Sequence, residues 1–389
     1  MLKHLTIIFS TFLLASAACV KPQSEVNAAN NNSVASGSSE AANPNDSNRH
    51  ADAKSPVSSA NAKTFLGDLD NKRIEINLTR DGNNLSGTYK YEKIGKDLKL
   101  SGTIDAAGNF TLQETDGASN KTGVWKGVWK ESDGRITLTG KWKSPKGGSE
   151  LDFSADEQVT NFTGGAKFTT KSSHEENKAK FYEITAEYPE LSGVDAATAA
   201  NFNQIVKKIV DDSIGDFKEN IADYTTPEDL KRYKENGISL YDQVTYDVEL
   251  ANDNIISLVF TDANYMGGAH GGATTTTLNF DLKNNRQLKL ADIFEPNTNY
   301  LKTLSDLSRA DLEAKLQKDD MLDDEMLNDG VNPKEENFRS WNLTKKGLQI
   351  NFDAYQVAAY AAGPQEVVIP YAKLQSILRK DGVAMTLAK

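Results

Sequence analysis

Cysteine, histidine and long apolar runs are scarce in this chain of 389 residues. These shortages bear on disulfides, metal sites and membrane-spanning helices. With Cys19 as the one cysteine, no disulfide can form within the chain and no cysteine-based metal site is possible. Of the four histidines, only His174 and His270 lie in the expected folded part, and they stand far apart in the sequence. Because stable zinc sites use three or four ligands, we expect neither a metal nor another cofactor.

Positive charge is in deficit as well, since the formal net charge is −11 at pH 7. Nucleic acid phosphates call for a basic patch, so this deficit argues against nucleic acid as a partner. It also argues against electrostatic docking on anionic lipid. An acidic surface suits a cationic partner, although acidity is most often a device for solubility.

One apolar run stands near the start of the chain, Leu5–Ala15. A bilayer-spanning helix needs about 20 apolar residues, so this run fits the apolar region of a secretory signal instead. The small residues Ser16–Ala18 directly precede Cys19, a pattern that resembles the lipobox of bacterial lipoproteins, where the thiol is diacylated. We expect a signal peptide over residues 1–18 and a lipid anchor at Cys19. The alternative is ordinary cleavage beside an incidental cysteine.

The segment that follows the cysteine is rich in Asn, Ser and Ala, and Val20–Ala62 contains no aromatic residue. Such a segment cannot bury enough apolar surface to offset its chain entropy. We expect residues 19–62 to form a lipidated, disordered tether that lets the folded part move away from the membrane.

Residues 64–155 alternate between apolar and polar positions with a period of two, and Gly, Asp and Asn turns separate the runs. Ile74, Ile76 and Leu78, for example, share one face of a strand. The pattern predicts about seven short strands in an up-and-down antiparallel meander, closed or partly closed as a barrel, without a helix. It resembles a small β-barrel module of bacterial envelope lipoproteins, which implies no catalytic residues.

Three tryptophans in this module, Trp125, Trp129 and Trp142, lie close together in the sequence. They form either the core of the barrel or the lining of a ligand pocket at its mouth. The sequence favours the core.

Residues 167–389 mix strands and helices, so the whole chain is predicted to be α+β, with a barrel followed by a mixed sheet and packed helices. Phe181–Pro189 reads as a strand that ends at its proline, and apolar residues at helical spacing predict a helix over Ala196–Asn220 that covers a sheet. Further predictions are strands over Leu240–Leu250, Ile255–Thr261, Thr274–Leu282 and Glu366–Ile369, an end of the sheet region at Leu288–Phe294, helices over Tyr300–Leu316 and Tyr371–Leu378, and an acidic surface excursion over Asp319–Glu336.

A glycine-rich loop lies between two of the predicted strands, with Gly267 and Gly268 before His270 and Gly271 after it. Glycine permits positive φ and close approach of the backbone. The loop is either a binding loop, with His270 and Tyr265 at its tip, or a tight connection whose histidine bonds backbone carbonyls.

A second loop carries Tyr355 and Tyr360 in an Ala-rich apolar context. Tyrosines are amphipathic contact groups at interfaces and sugar sites. These two either contribute to a binding site or pack against the glycine-rich loop.

Three segments of this part stand out together: Tyr265–Gly271, Leu290–Phe294 and Phe352–Tyr371. They resemble the domain of unknown function 3298, which forms the extracytoplasmic part of lysozyme-sensing anti-sigma factors of the RsiV type. Tyr188–Gly193 and the helix after it resemble the companion deacetylase PdaC domain, which accompanies polysaccharide deacetylases. The two resemblances together cover nearly all of residues 167–389.

The resemblance implies a binding domain of the cell envelope. RsiV-type sensors also have a sigma-binding segment and a membrane span, and PdaC-type enzymes a catalytic domain with an Asp and paired histidines; we recognise none of these here. We therefore expect non-enzymatic binding outside the cytoplasm, with a peptidoglycan-type glycan or a lysozyme-like protein as ligand. The alternatives are an enzyme that modifies cell-wall polysaccharide through two carboxylates in a cleft, and a structural envelope protein.

Overall fold

The computed structural model describes residues 62–70, 72–91, 96–132 and 135–388. The expected signal peptide, the expected anchor at Cys19 and residues 20–61 of the expected tether lie outside these residues. Among the described residues, no helix combines the length and the apolarity that crossing a bilayer requires.

Eight antiparallel strands form a closed barrel, in which each strand pairs with the next and β8 pairs back with β1. The strands are β1 Ala62–Leu69, β2 Lys72–Asp81, β3 Asn84–Tyr91, β4 Leu98–Ile104, β5 Asn109–Thr115, β6 Lys121–Ser132, β7 Arg135–Lys143 and β8 Leu151–Gln158. The predicted meander is thus confirmed as a closed barrel, with one strand more than expected. The alternation is weak in β1 because that strand is buried on both faces. Phe65 points into the barrel core, whereas Leu66 packs in the core of the α+β part that follows the barrel, which we call the second unit.

Aromatic side chains fill the barrel. Trp125 and Trp129 are buried and Trp142 packs at the edge of this core, so the interpretation as core is correct. The indole N–H groups of Trp125 and Trp142 donate to the same oxygen of Glu114, at 2.9 and 2.7 Å. Because Glu114 is only 2% exposed, these donors replace the water that a buried carboxylate would lose.

The second unit contains a mixed sheet of seven strands and an antiparallel sheet of three strands. The larger sheet consists of β9 Thr160–Asn161, β10 Lys167–Asn177, β11 Tyr182–Ser192, β12 Leu240–Asn252, β13 Ile255–Tyr265, β14 Gly272–Asp281 and β15 Arg286–Gln287. The smaller sheet consists of β16 Trp341–Leu343, β17 Gly347–Phe352 and β18 Gln365–Pro370. The predicted α+β class with a mixed sheet is therefore confirmed.

Six helices belong to this unit: α1 Ala196–Tyr224, α2 Pro227–Asn236, α3 Tyr300–Lys318, α4 Asp324–Gly330, α5 Tyr371–Leu374 and α6 Val383–Leu387. The apolar stripe of α1 covers one face of the larger sheet, where Phe202 meets Phe280 edge to face with 5.4 Å between ring centroids. The smaller sheet joins the opposite face, because Asn342 donates to Ser257 Oγ at 3.0 Å. The predicted helices α1 and α3 are confirmed, each slightly longer than expected.

Three local predictions were wrong. β11 continues past Pro189, which is tolerated because β12 pairs only with residues 182–186 of β11 and leaves the rest of that edge without this neighbour. The acidic segment Asp319–Glu336 was predicted to lie on the surface, but it contains α4 and buries Leu327 and Val331 in the core. The predicted closing helix is split into α5 and α6. The prediction that Leu288–Phe294 ends the sheet region is confirmed, because β15 ends at Gln287 and a short 3₁₀ turn, Leu290–Ile293, follows it.

Ion pairs join the barrel to the larger sheet. Arg135 of β7 contacts Asp247 at 3.3 Å and also pairs with Glu249, both on β12. Arg73 of β2 donates to Glu187 of β11 at 3.1 Å. These contacts, together with the shared burial of Leu66, make the barrel and the second unit one compact body over the described residues.

Candidate functional site

The structure brings the glycine-rich loop and the Tyr355–Tyr360 loop together. The ring of His270 stacks on the ring of Tyr360, with 4.0 Å between centroids and 24° between planes. The Tyr360 hydroxyl donates to the Gly271 carbonyl at 3.0 Å. His270 Nδ1 lies 2.7 Å from the same carbonyl, which can only accept, so Nδ1 carries the proton. The expectation of packing against the glycine-rich loop is therefore confirmed for Tyr360, and the expectation of a binding site stays a prediction.

A second aromatic pair lies beside the first. Tyr241 and Tyr265 are direct partners in the β12–β13 ladder, and their rings stack with centroids 6.1 Å apart. The Tyr265 hydroxyl donates to the Gly268 carbonyl at 3.0 Å and so closes the loop. Sequence analysis missed Tyr241, although the alternation of β12 places it on the face opposite the buried Leu240. We call Tyr241, Tyr265, His270, Tyr355 and Tyr360 the aromatic surface.

The aromatic surface is exposed to an extent that apolar rings seldom are. Tyr355 is 57%, Tyr241 44% and Tyr360 39% exposed, and His270 is exposed as well. Tyr355 also adopts a φ of 69°, a left-handed conformation that is costly for a bulky residue. The loop therefore holds the Tyr355 ring in solvent at a cost in backbone strain.

Two of the loop glycines are required by the backbone path. Gly267 has a φ of 80°, and a Cβ there would lie 2.6 Å from the Tyr233 hydroxyl. A Cβ on Gly271 would lie 2.9 Å from the Asn264 carbonyl oxygen. Gly268, in contrast, has open space around it and no positive φ. The predicted need for glycine therefore applies to Gly267 and Gly271 but not to Gly268.

A cleft of about 680 Å³ begins at the aromatic surface and reaches the junction with the barrel. Tyr241, Tyr360 and Gly271 line one end. Its other end is acidic: the lining includes Asp156, Asp247, Glu249 and Glu366, with Arg135 as their cation. Aromatic walls beside convergent polar groups are the usual composition of a ligand cleft.

Two glutamates of the cleft have raised pKa values. Burial raises the pKa of Glu249 to about 7, although the nearby Arg135 opposes the shift. Desolvation by the surrounding protein also raises the pKa of Glu366, against the attraction of Arg135, although its side chain keeps access to solvent in the cleft. Sequence analysis could not find this group, because its members come from β7, β8, β12 and β18 and meet only in the folded chain.

A pair of carboxyl groups lies on the other face of the same strands, under α1. Asp242 is 1% exposed, and burial followed by the interaction with Asp262 raises its pKa to about 8. His174, the other histidine of the folded part, lies on β10, 3.7 Å from Glu183. Within the described ranges, no group of three or more His, Cys, Asp or Glu residues is placed to hold a metal ion.

The fold and the site define a two-part protein: a closed β-barrel joined to an α+β unit that presents an aromatic surface at the mouth of an acidic cleft. Residues 175–273 match the family model described as "Deacetylase PdaC", and residues 291–372 match "Protein of unknown function (DUF3298)". The matches to both domains occur in the predicted order. The RsiV-type assignment and the likeness to a lipoprotein barrel module stay predictions.

One similar protein is the peptidoglycan-N-acetylmuramic acid deacetylase PdaC of Bacillus subtilis (strain 168), at 28% identity over 205 residues. The match covers 53% of this chain and 41% of that protein, so the chain spans less than half of its relative's length. A DUF3298 family structure from Bacteroides fragilis is similar at 23% identity and a TM-score of 0.44, over 58% of this chain and 98% of that one. Another, from Pseudomonas aeruginosa PAO1, has 16% identity and a TM-score of 0.38, over 55% and 94%.

Proposed function

We propose that this protein is a lipid-anchored, extracytoplasmic cell-wall protein that binds a peptidoglycan-type glycan on the aromatic surface. The observation that carries the proposal is the group of exposed rings of Tyr241, Tyr355, Tyr360 and His270, beside a cleft that Tyr241 and Tyr360 line. A tyrosine ring offers an apolar face to the C–H groups of a sugar and a hydroxyl to its oxygens. The printed name of the Bacillus subtilis relative, a peptidoglycan deacetylase, supports the choice of glycan.

A lysozyme-like protein is the alternative ligand, and the net charge of −11 supports it. Acidic patches accelerate the encounter with a cationic protein, and added salt weakens that effect. Glycan contacts through rings and hydroxyls depend little on salt. The salt dependence of binding therefore separates the two ligands.

An enzyme that modifies the glycan is the second candidate function, and the cleft is the observation that favours it. Glu249 and Glu366 have raised pKa values, and a carboxyl with a raised pKa suits general acid catalysis. Glu249 is paired with Arg135, whereas Glu366 is exposed in the cleft. The residue for this test is consequently Glu366: Glu366→Gln would abolish turnover if the cleft is catalytic.

The direct test is a pull-down with the purified protein against insoluble peptidoglycan and against immobilised lysozyme, at low and high salt. We expect retention on peptidoglycan at both salt concentrations. The variant Tyr355→Ala/Tyr360→Ala should lose this retention, whereas Tyr224→Ala, at a 76% exposed tyrosine outside the aromatic surface, should keep it.

Each other outcome selects an alternative. Salt-sensitive retention on lysozyme alone would replace the glycan by a cationic protein. Release of soluble sugar or acetate that Glu366→Gln abolishes would make the protein an enzyme. Retention on neither matrix would contradict binding at this surface.

The anchor is tested separately, because Cys19 lies outside the described residues. Metabolic labelling with an alkyne fatty acid should label the wild-type protein in a bacterial host and fail to label Cys19→Ser. Equal labelling of the two proteins would contradict lipidation at this cysteine.

A further inference from the structure

Two carboxyl groups lie buried between α1 and the strands that carry the aromatic surface. Asp242 of β12 is 1% exposed, and neither of its oxygens has a hydrogen-bond donor among the described residues. Asp262 of β13 is in register with Val244, so it lies diagonally across from Asp242 on the same face of the sheet. Two carboxyl groups can bond each other only when one carries a proton, and burial makes the loss of that proton costly.

The groups around the pair leave Asp242 without a compensating cation. On α1, the Ser213 hydroxyl donates to Asp262, and on β13 the Asn264 amide donates to the other Asp262 oxygen at 3.3 Å. The neighbouring positions on this face are Ile184 of β11 and, on β14, Gly272 and Thr274, while Tyr233 of α2 donates to the Met266 carbonyl. Beyond Ile184, Glu175 of β10 engages Lys218 of α1. Among the described residues, no ion pair reaches Asp242.

The pair connects directly to the aromatic surface. Asp242 follows Tyr241 in the chain, and Asn264, its partner in the β12–β13 ladder, precedes Tyr265. Asn264 is in turn in register with Gly272, at the far end of the glycine-rich loop. Any movement that separates the two carboxylates therefore displaces the strand ends that hold Tyr241, Tyr265 and the loop.

We propose that the Asp242–Asp262 pair makes the aromatic surface pH-sensitive: the shared proton holds the ends of β12 and β13 together, and its loss loosens the glycine-rich loop and weakens binding. The inference rests on the proposed function for the identity of the ligand only. The loosening of the loop is a property of the fold.

The direction in which stability changes with pH follows from the linkage between proton binding and folding. With a pKa near 8 in the folded protein, Asp242 keeps a proton that an unfolded chain releases at about pH 4. Its contribution to stability is complete below about pH 4 and disappears as the pH rises through about 8. At pH 9 about nine-tenths of the molecules have lost this proton, so the loosened state predominates.

The test uses chymotrypsin, which is active from pH 7 to 9 and cleaves after Tyr265, with the product identified by mass spectrometry. At each pH the cleavage rate of the wild type is divided by that of Asp242→Asn, which cancels the protease's own pH dependence. We expect this ratio to rise about tenfold between pH 7 and pH 9, in proportion to the ionised fraction. Asp211→Asn, on the exposed face of α1, should behave like the wild type.

A second arm measures retention on peptidoglycan at pH 7 and pH 9. The wild type should lose most of its retention at pH 9, and Asp242→Asn should keep it. If Asp242→Asn fails to fold, Asp262→Asn gives the same expectation, because its amide can donate to an ionised Asp242.

A constant cleavage ratio overturns the proposal, and so does a rising ratio with retention that does not change. A rising ratio with no retention at either pH supports the control of the loop and contradicts the glycan as ligand instead.

Discussion

The barrel and the second unit place their aromatic side chains in opposite ways. In the barrel, the large rings point inward, and Trp125, Phe65 and Tyr89 are at most 1% exposed. Among the described residues, all exposed tyrosines belong to the second unit, and three of them, Tyr241, Tyr355 and Tyr360, stand together. A buried ring stabilises the fold because its apolar surface is removed from water, and a ring kept in solvent does not contribute this free energy. The comparison supports the proposal that the barrel is a scaffold and that the second unit contacts the ligand.

The largest effect expected from this comparison concerns stability. Trp125→Ala should cost about 3–5 kcal/mol of unfolding free energy, because it empties the barrel core and removes a donor from the buried Glu114. Tyr355→Ala should change the same free energy by less than about 0.5 kcal/mol. Urea unfolding measures both variants, and equal costs would contradict the division into scaffold and contact surface.

The next effect concerns the junction of the two regions. Arg135→Met should cost about 3–5 kcal/mol at pH 8, because it leaves the buried Glu249 without its cation. The cost should be smaller at pH 5. Since the pKa of Glu249 is raised to about 7, its contribution to stability falls as the pH rises through 7, and removing Arg135 makes that fall steeper.

Urea unfolding at the two pH values checks this prediction, with Arg135→Lys as the control that keeps the charge. A cost that does not depend on pH would mean that Arg135 stabilises the junction by packing alone.

A smaller effect separates two neighbouring glycines. Gly267→Ala should cost about 1–3 kcal/mol, because Gly267 has a φ of 80° and its new methyl would meet Tyr233. Gly268→Ala should be neutral, since nothing lies within 4 Å of the added carbon. Thermal unfolding compares the two variants. A similar loss in both would show that the loop needs glycine for flexibility rather than for its shape.

The smallest effect on stability is expected at the aromatic surface itself. His270→Ala removes an exposed ring that stacks on Tyr360, so the unfolding free energy should change by less than about 0.5 kcal/mol. The affinity for soluble glycan fragments should nevertheless fall about three- to tenfold, which corresponds to the loss of about one aromatic contact. Isothermal titration with soluble glycan fragments measures this, and unchanged affinity would exclude His270 from the contact.

How much of this fold is readable from the sequence depends on how local the signal is. The barrel is predictable because Ile74, Ile76 and Leu78 alternate within one strand. Strand β1 is missing from the prediction because Phe65 and Leu66 are buried in two different cores, which hides the alternation. Helix α2 was missed because it is polar, although Thr226 and Asp229 form a capping box with Pro227 at its start, a signal that was available.

In the candidate site, too, only those features that lie within one short segment could be predicted. His270, Tyr265 and the glycines stand out in one short segment, so their common loop was predictable. The contact of His270 with Tyr360 depends on how two distant loops meet, and the Asp242–Asp262 pair depends on strand register. Neither leaves a pattern in the sequence.

The most direct test of the central claim is an NMR titration of the protein, labelled with ¹³C on its tyrosine rings, with soluble peptidoglycan fragments. The account predicts that the ring signals of Tyr241, Tyr355 and Tyr360 shift in a saturable manner while that of Tyr89 in the barrel core stays in place. Saturable shifts confined to the barrel, or none at all, would contradict the claim that the second unit contacts the glycan.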